Sequence, residues 1–145
     1  MKIYQVELRN MFIQLMGGMK QSLSHAMKAQ GLNLSPLHFV VMHSVHHTPG
    51  CTSNALAELL KKDKGQLTRL VKDLVNHGFV RKMANPTDRR SQYIVLTEEG
   101  LESFRRLEQY DFATLESMRE GISDEELTQF MSIGAKMIAN MDRGF

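Results

Sequence analysis

Residues 63–97 read DKGQLTRLVKDLVNHGFVRKMANPTDRRSQYIVLT, and the apolar period changes inside that run. Leu67, Leu70, Val71 and Leu74 recur at three- and four-residue spacing, which marks one face of a helix. Asp63, with Gln66 three residues on, has the pattern of a capping box at its start, and Gly78 supplies a stop. Beyond Gly78, FVRKMA (79–84) and SQYIVL (91–96) read as two short strands. The connector NPTDRR (85–90) is rich in turn formers, so the strands make a hairpin.

Working outward from this run, Ser35-Pro36 opens the helix LHFVVMHSVHH, because Ser caps well and Pro suits the first helical position. Pro49-Gly50 ends it. Thr52 or Ser53 then caps a short helix, NALAELLKK. Further upstream, Ile3, Val6, Met11, Leu15, Met19, Leu23 and Met27 lie at helical spacing up to Gly31, with a weak point at Gly17-Gly18. Downstream, Thr97-Glu98-Glu99 restarts a helix that runs to about Glu120, with acidic groups at its positive end. Gly121 breaks it. Ser123 and Glu126 cap a last helix striped by Leu127, Phe130, Met131, Gly134, Met137, Ile138 and Met141.

The predicted fold is mainly α with a small β-hairpin wing. A winged helix-turn-helix unit spans 35–97, between N- and C-terminal helices at 1–34 and 98–145. A unit that small cannot cover the stripes of the outer helices. A second copy of the chain is their natural partner, so 1–34 and 98–145 are expected to be dimerisation helices.

The 145 residues are 42% hydrophobic and 23% charged, as in ordinary globular domains. No apolar run approaches membrane-spanning length, and MKIYQVELRN does not read as a signal peptide. A cytoplasmic chain is expected. Cys51 is the single cysteine, so no intrachain disulfide or cysteine zinc cluster forms. There is no GxSxG, no phosphate-cradling glycine loop and no paired carboxylate, so no enzyme and no cofactor is expected.

Net charge is only +2, but it is unevenly placed. Residues 61–90 carry nine Lys and Arg against three Asp, whereas 91–145 carry five against eleven acidic groups. A short cationic segment beside an acidic one points to a polyanion-facing surface. On a helical wheel, the leucines of 63–77 face inward. Gly65, Arg69, Lys72 and Asn76 face outward, flanked by Gln66 and Thr68, with Lys64 in the first turn. These side chains suit base edges and phosphates: Arg on guanine, Gln on adenine, Thr against a thymine methyl. Gly65 allows close approach. Thr52 and Ser53 lie where free helix N–H groups meet a phosphate. Arg89 and Arg90 sit on the hairpin tip, where arginine enters a narrow minor groove, and Asp88 is read as a brace for that loop.

Taken together, LSPLHFVVMHSV and TSNALAELLKKDKGQLTRLVKDLVNHGFVRKMANPTDRRSQYIVLTEEG resemble the MarR (multiple antibiotic resistance) family of regulators. The matching residues are Leu56-Ala57, Thr68-Arg69, Leu74, Gly78, the DRR of the wing, and Leu96-Thr97 with Gly100. Gly65 and Gln66 stand where the family often has small hydroxyl residues. The resemblance implies a homodimer on a pseudo-palindromic duplex operator, acting as a repressor released by a small hydrophobic or aromatic effector. It also implies Arg90 as the groove-probing arginine. In the family the effector pocket lies between the dimerisation helices and the DNA-binding unit. Here Met16, Met19, His38 and Met42 are the candidates for its lining, although methionine also simply fills cores.

Three alternatives stand beside this reading. One is a dimeric winged-helix protein-interaction module that does not read DNA, which would call for acidic or apolar groups on the outer face of 63–77. A second is redox sensing at Cys51, just before a helix N-terminus. Family members that sense peroxide usually carry that cysteine in the N-terminal helical region, where this chain has none. A third is metal sensing at His43 and His47, spaced i, i+4. Those histidines have no carboxylate in their own segment, so no metal site is expected.

Overall fold

The structure, a computed structural model, describes residues 2–144; Met1 and Phe145, the ends of the expected outer helices, lie outside the described residues. In chain order the elements are α1 (Ile3–Ala29), α2 (Pro36–His47), α3 (Ser53–Leu59), α4 (Lys64–Asn76), β1 (Val80–Met83), β2 (Tyr93–Leu96), α5 (Glu98–Met118) and α6 (Asp124–Gly144). The chain divides into two compact units, one running to Asp111 within α5 and the other starting at Phe112.

The core of the first unit is built around α4. Leu67, Leu70, Val71 and Leu74 are all buried, as their spacing predicts. They join Phe39, Val41, Met42 and Val45 of α2, Leu56 and Ala57 of α3, and Val80 and Ile94 of the hairpin. Leu23, Ala26 and Met27 of α1 and Phe104 and Leu107 of α5 belong to the same core. Packing therefore continues past the expected bounds at 35 and 97.

Local chemistry sets the helix ends. Asp63 Oδ1 accepts from the Gln66 N–H (2.7 Å) and Thr52 Oγ1 from the Ala55 N–H (3.2 Å), satisfying first-turn donors of α4 and α3. Between these helices the turn passes through Lys61, whose φ of 54° is left-handed in a position that usually takes glycine. The Lys62 N–H then closes back on the Ala57 carbonyl (3.0 Å), the long bond of a Schellman motif.

β1 and β2 pair antiparallel, Val80 opposite Leu96 and Met83 opposite Tyr93. The strands are shorter than the sequence pattern suggests. A third segment, invisible to periodicity, joins them: the Ile94 N–H donates to the Cys51 carbonyl (2.9 Å), and Thr52 bridges to Tyr93. Cys51 is thereby held 3% exposed, and burial pushes its thiol pKa up. That environment opposes the thiolate that redox sensing needs.

The root of the hairpin is tied to α5 by one tight junction. The Thr97 N–H donates to the Phe79 carbonyl (2.9 Å), and Thr97 Oγ1 donates to the Gly78 carbonyl (2.5 Å) while accepting from the Gly100 N–H (3.0 Å). Gly100 lies so close that a Cβ there would stand 1.9 Å from the Phe79 oxygen. No helix among the described residues is long and apolar enough to cross a membrane.

Two outcomes follow from this packing. Gly100→Ala forces backbone apart and is expected to cost about 3 kcal/mol, lowering Tm by roughly 5–10 °C in a thermal melt; an unchanged Tm contradicts the contact. Cys51 is expected to resist an aromatic disulfide reagent at neutral pH in the native protein and to react at once in denaturant, with one thiol released per chain.

Candidate nucleic-acid interface

Because α4 buries its leucines, its opposite face is fixed outward. Lys64, Gly65, Thr68, Arg69, Lys72 and Asn76 are exposed and Gln66 is half-buried. Thr68 spends its hydroxyl hydrogen on the Lys64 carbonyl (2.7 Å), so a methyl and an oxygen that can only accept are what it offers outward. Among the described residues, no side-chain partner is recorded for Lys64, Arg69, Lys72, Lys82, Arg89 or Arg90. Their charges are unneutralised within the chain.

Asp73, the acidic group on α4, is engaged elsewhere. It accepts from His38 Nε2 (2.9 Å). The tautomer follows from the other ring nitrogen: Nδ1 accepts from the Ser35 N–H (2.9 Å), which leaves the ring proton on Nε2. His38 is buried and ties the N-terminus of α2 to the middle of α4. Asp73 is thus taken off the cationic face by a specific bond.

The wing tip is braced through backbone. Asp88 Oδ1 accepts from the Arg90 N–H (2.9 Å), an Asx turn, so Asp88 braces the loop through the main chain and not through a guanidinium. Asn85 Oδ1 does the same for the Thr87 N–H (3.0 Å) and hydroxyl (2.8 Å), a role the sequence reading missed although Asn-Pro-Thr is a turn signal. Both guanidinium groups are left exposed and unpaired.

Two regions expected separately are brought together. Ser53 of α3, Lys82 of β1 and Arg90 of the wing line one polar cleft of about 160 Å³, with Asn54, Ser91 and Gln92. Asn54, Lys82 and Gln92 were not among the sequence candidates. Only the pairing of the hairpin with the start of α3 puts them there. Thr52 is half-buried, its oxygen engaged as the α3 cap. A surface of unpaired cations, amides and hydroxyls, with few competing carboxylates, is chemically suited to a phosphate-bearing duplex.

The four residues expected to line an effector pocket occupy different environments. Met42 is fully buried in the core, Met16 is 69% exposed and Met19 is half-buried. His38 has both ring nitrogens bonded to protein.

The histidines of α2 have a carboxylate neighbour after all. Glu108, from α5, lies 3.3 Å from His47 Nε2. The sequence could not place it, since 61 positions separate the two.

Comparison with known proteins agrees with this arrangement. Residues 34–92 match the model of the MarR family. The chain is 25% identical over 119 residues to the HTH-type transcriptional regulator BilQ of Clostridium symbiosum, covering 79% of this chain and 81% of that one. A MarR-family transcriptional regulator from Silicibacter pomeroyi superposes with a TM-score of 0.77 at 25% identity, over 90% of this chain and 86% of its own. A mutant MarR from E. coli, solved with operator DNA, superposes with a TM-score of 0.77 at 20% identity, over 94% and 99% of the two chains. Residues 34–92 thus carry a MarR-type domain, and the chain shares the fold of MarR-family regulators along most of its length.

Proposed function

We propose that the chain is a homodimeric transcriptional repressor that reads a pseudo-palindromic duplex operator. The observation that carries this reading is the unneutralised outer face of α4, where Arg69 and Lys72 have no partner while Asp73 is bonded to His38. α4 enters the major groove, with Gln66, Thr68 and Arg69 at base edges and Lys64 and Lys72 at phosphates. Gly65 keeps the first turn low against the duplex. Arg89 and Arg90 take the wing into the adjoining minor groove. Ser53, at the cleft it shares with Lys82 and Arg90, holds the strand between them. The relative solved with operator DNA supports the same mode. A module that had lost DNA reading would not keep this face cationic.

The dimer rests on apolar surface. α6 is 21 residues long and buries none of its side chains within the chain. It exposes Phe130, Met131, Ile133, Ile138 and Met141, and α1 exposes Ile3, Tyr4, Val6, Ile13 and Met16. Exposed stripes of this kind mark an interface, and two reading heads on one operator require two chains. Release by a small effector is the family's habit. Since Met42 and His38 are committed to the core, an effector would contact α1 and its surroundings rather than those two side chains.

Arg69→Ala and Arg90→Ala are each expected to weaken binding to the DNA upstream of the chain's own coding region by about tenfold or more. Each should also flatten the salt dependence by about one counterion, measured by fluorescence anisotropy across salt concentrations. Parent-like binding by both variants at matched salt refutes the interface. For the dimer, Met131→Glu with Ile138→Glu is expected to convert the chain to a monomer in sedimentation and to abolish operator binding.

A further inference from the structure

At the C-terminal end of α2, His43 and His47 lie one turn apart with ring centroids 4.5 Å from each other. Glu108 of α5 reaches the same point. One ligand atom from each of the three residues can be chosen so that all lie within 4.8 Å of one another. Two imidazoles and a carboxylate are a donor set that zinc takes in open sites, with a fourth position left over. Tetrahedral zinc with such ligands wants neighbouring donors about 3.4 Å apart. His43 and His47 are exposed and Glu108 is half-buried, so the imidazoles have room to turn toward the carboxylate.

We infer that His43, His47 and Glu108 form a binding site for a divalent transition-metal cation of the zinc type, bridging α2 to α5.

Several features support it. The two helices are held at this point by Phe104 of α5, whose ring lies 6.3 Å from His43 and 6.4 Å from His47, so the donors are presented from packed elements. Asp111 stands one turn beyond Glu108 on α5 and is half-buried. A cation placed among these groups offsets the repulsion between the two carboxylates. Asp111 or a water fills the fourth position. The site is separate from the α4 and wing residues, so its test needs no DNA and does not depend on the proposed operator reading.

The test is titration of the metal-stripped full-length chain with zinc chloride by calorimetry, with cobalt(II) absorption as a report on coordination. Expected are one zinc per chain at micromolar affinity or tighter, a tetrahedral cobalt spectrum, and a zinc-dependent rise in Tm. Glu108→Gln and His47→Ala each weaken binding at least tenfold, with far-UV circular dichroism unchanged. Glu108→Gln keeps the shape of the side chain and carries the test should His47→Ala disturb packing. His25→Ala and His77→Ala, outside the cluster, bind as the parent does. Absence of binding below millimolar zinc overturns the site. So does binding that survives Glu108→Gln or is lost in His25→Ala or His77→Ala.

Discussion

Four side chains of α4 decide how this molecule presents itself. Leu67, Leu70, Val71 and Leu74 are all buried, against α2, α3 and the hairpin. Burial of a leucine or valine is worth roughly 1.5–3 kcal/mol, so rotating α4 by even a third of a turn would forfeit most of its anchoring. A helix pinned so strongly on one side has no freedom on the other. The direction of Gln66, Arg69 and Lys72 is a consequence of leucine packing, and it needs no interaction of their own to hold it. The His38–Asp73 bond adds a polar peg to the apolar one. It joins buried donor to half-buried acceptor, and it withdraws from the outer face a carboxylate that would repel phosphate.

Where local chemistry dictates structure, the residues could be read directly. The Asp63 cap, the leucine spacing and the stop at Gly78 concern neighbours within a few positions, and all three are found. What could not be read depends on contacts between distant parts of the chain. The pairing of Cys51 with Ile94 requires that the chain before α3 return to β2, 43 positions away, and nothing in either segment announces it. That pairing builds the cleft shared by Ser53, Lys82 and Arg90. The brace at Asp88 was legible as a brace, but its partner was not. An aspartate two residues before an arginine can bond the guanidinium or the N–H, and the short Asx turn takes the N–H at less entropic cost. Gly100 is a different case. Its need for a bare Cα arises from the Phe79 carbonyl across the junction, which only the folded chain supplies.

The effector residues illustrate why composition misleads. Methionines are numerous, and their flexibility suits both a pocket and a core. Met42 of α2 is fully buried in the core cluster that residues of α4 and α5 also join. Met16 stands on a part of α1 that the chain itself does not cover. One residue type serves two purposes on two helices, and spacing alone cannot separate them. The same holds for α6, whose stripe is as regular as that of α4. A helix of 21 residues in which none is fully buried draws little stability from packing within its own chain. The covering surface must come from elsewhere, and symmetry makes a second copy the most economical source.

α2 is the element on which these separate features converge. Its first turn holds α4 through Ser35, His38 and Asp73, and its last turn holds α5 through His47 and Glu108. Phe39 stacks on Phe104, at 5.5 Å between ring centroids, and seals the helix to α5 between those two points. A helix of 12 residues is about 18 Å long and stiff over that distance. The same short helix thus meets α4 at one end and α5 at the other, with the aromatic stack between. His38, buried and bonded through both ring nitrogens, joins α4 to the start of α2.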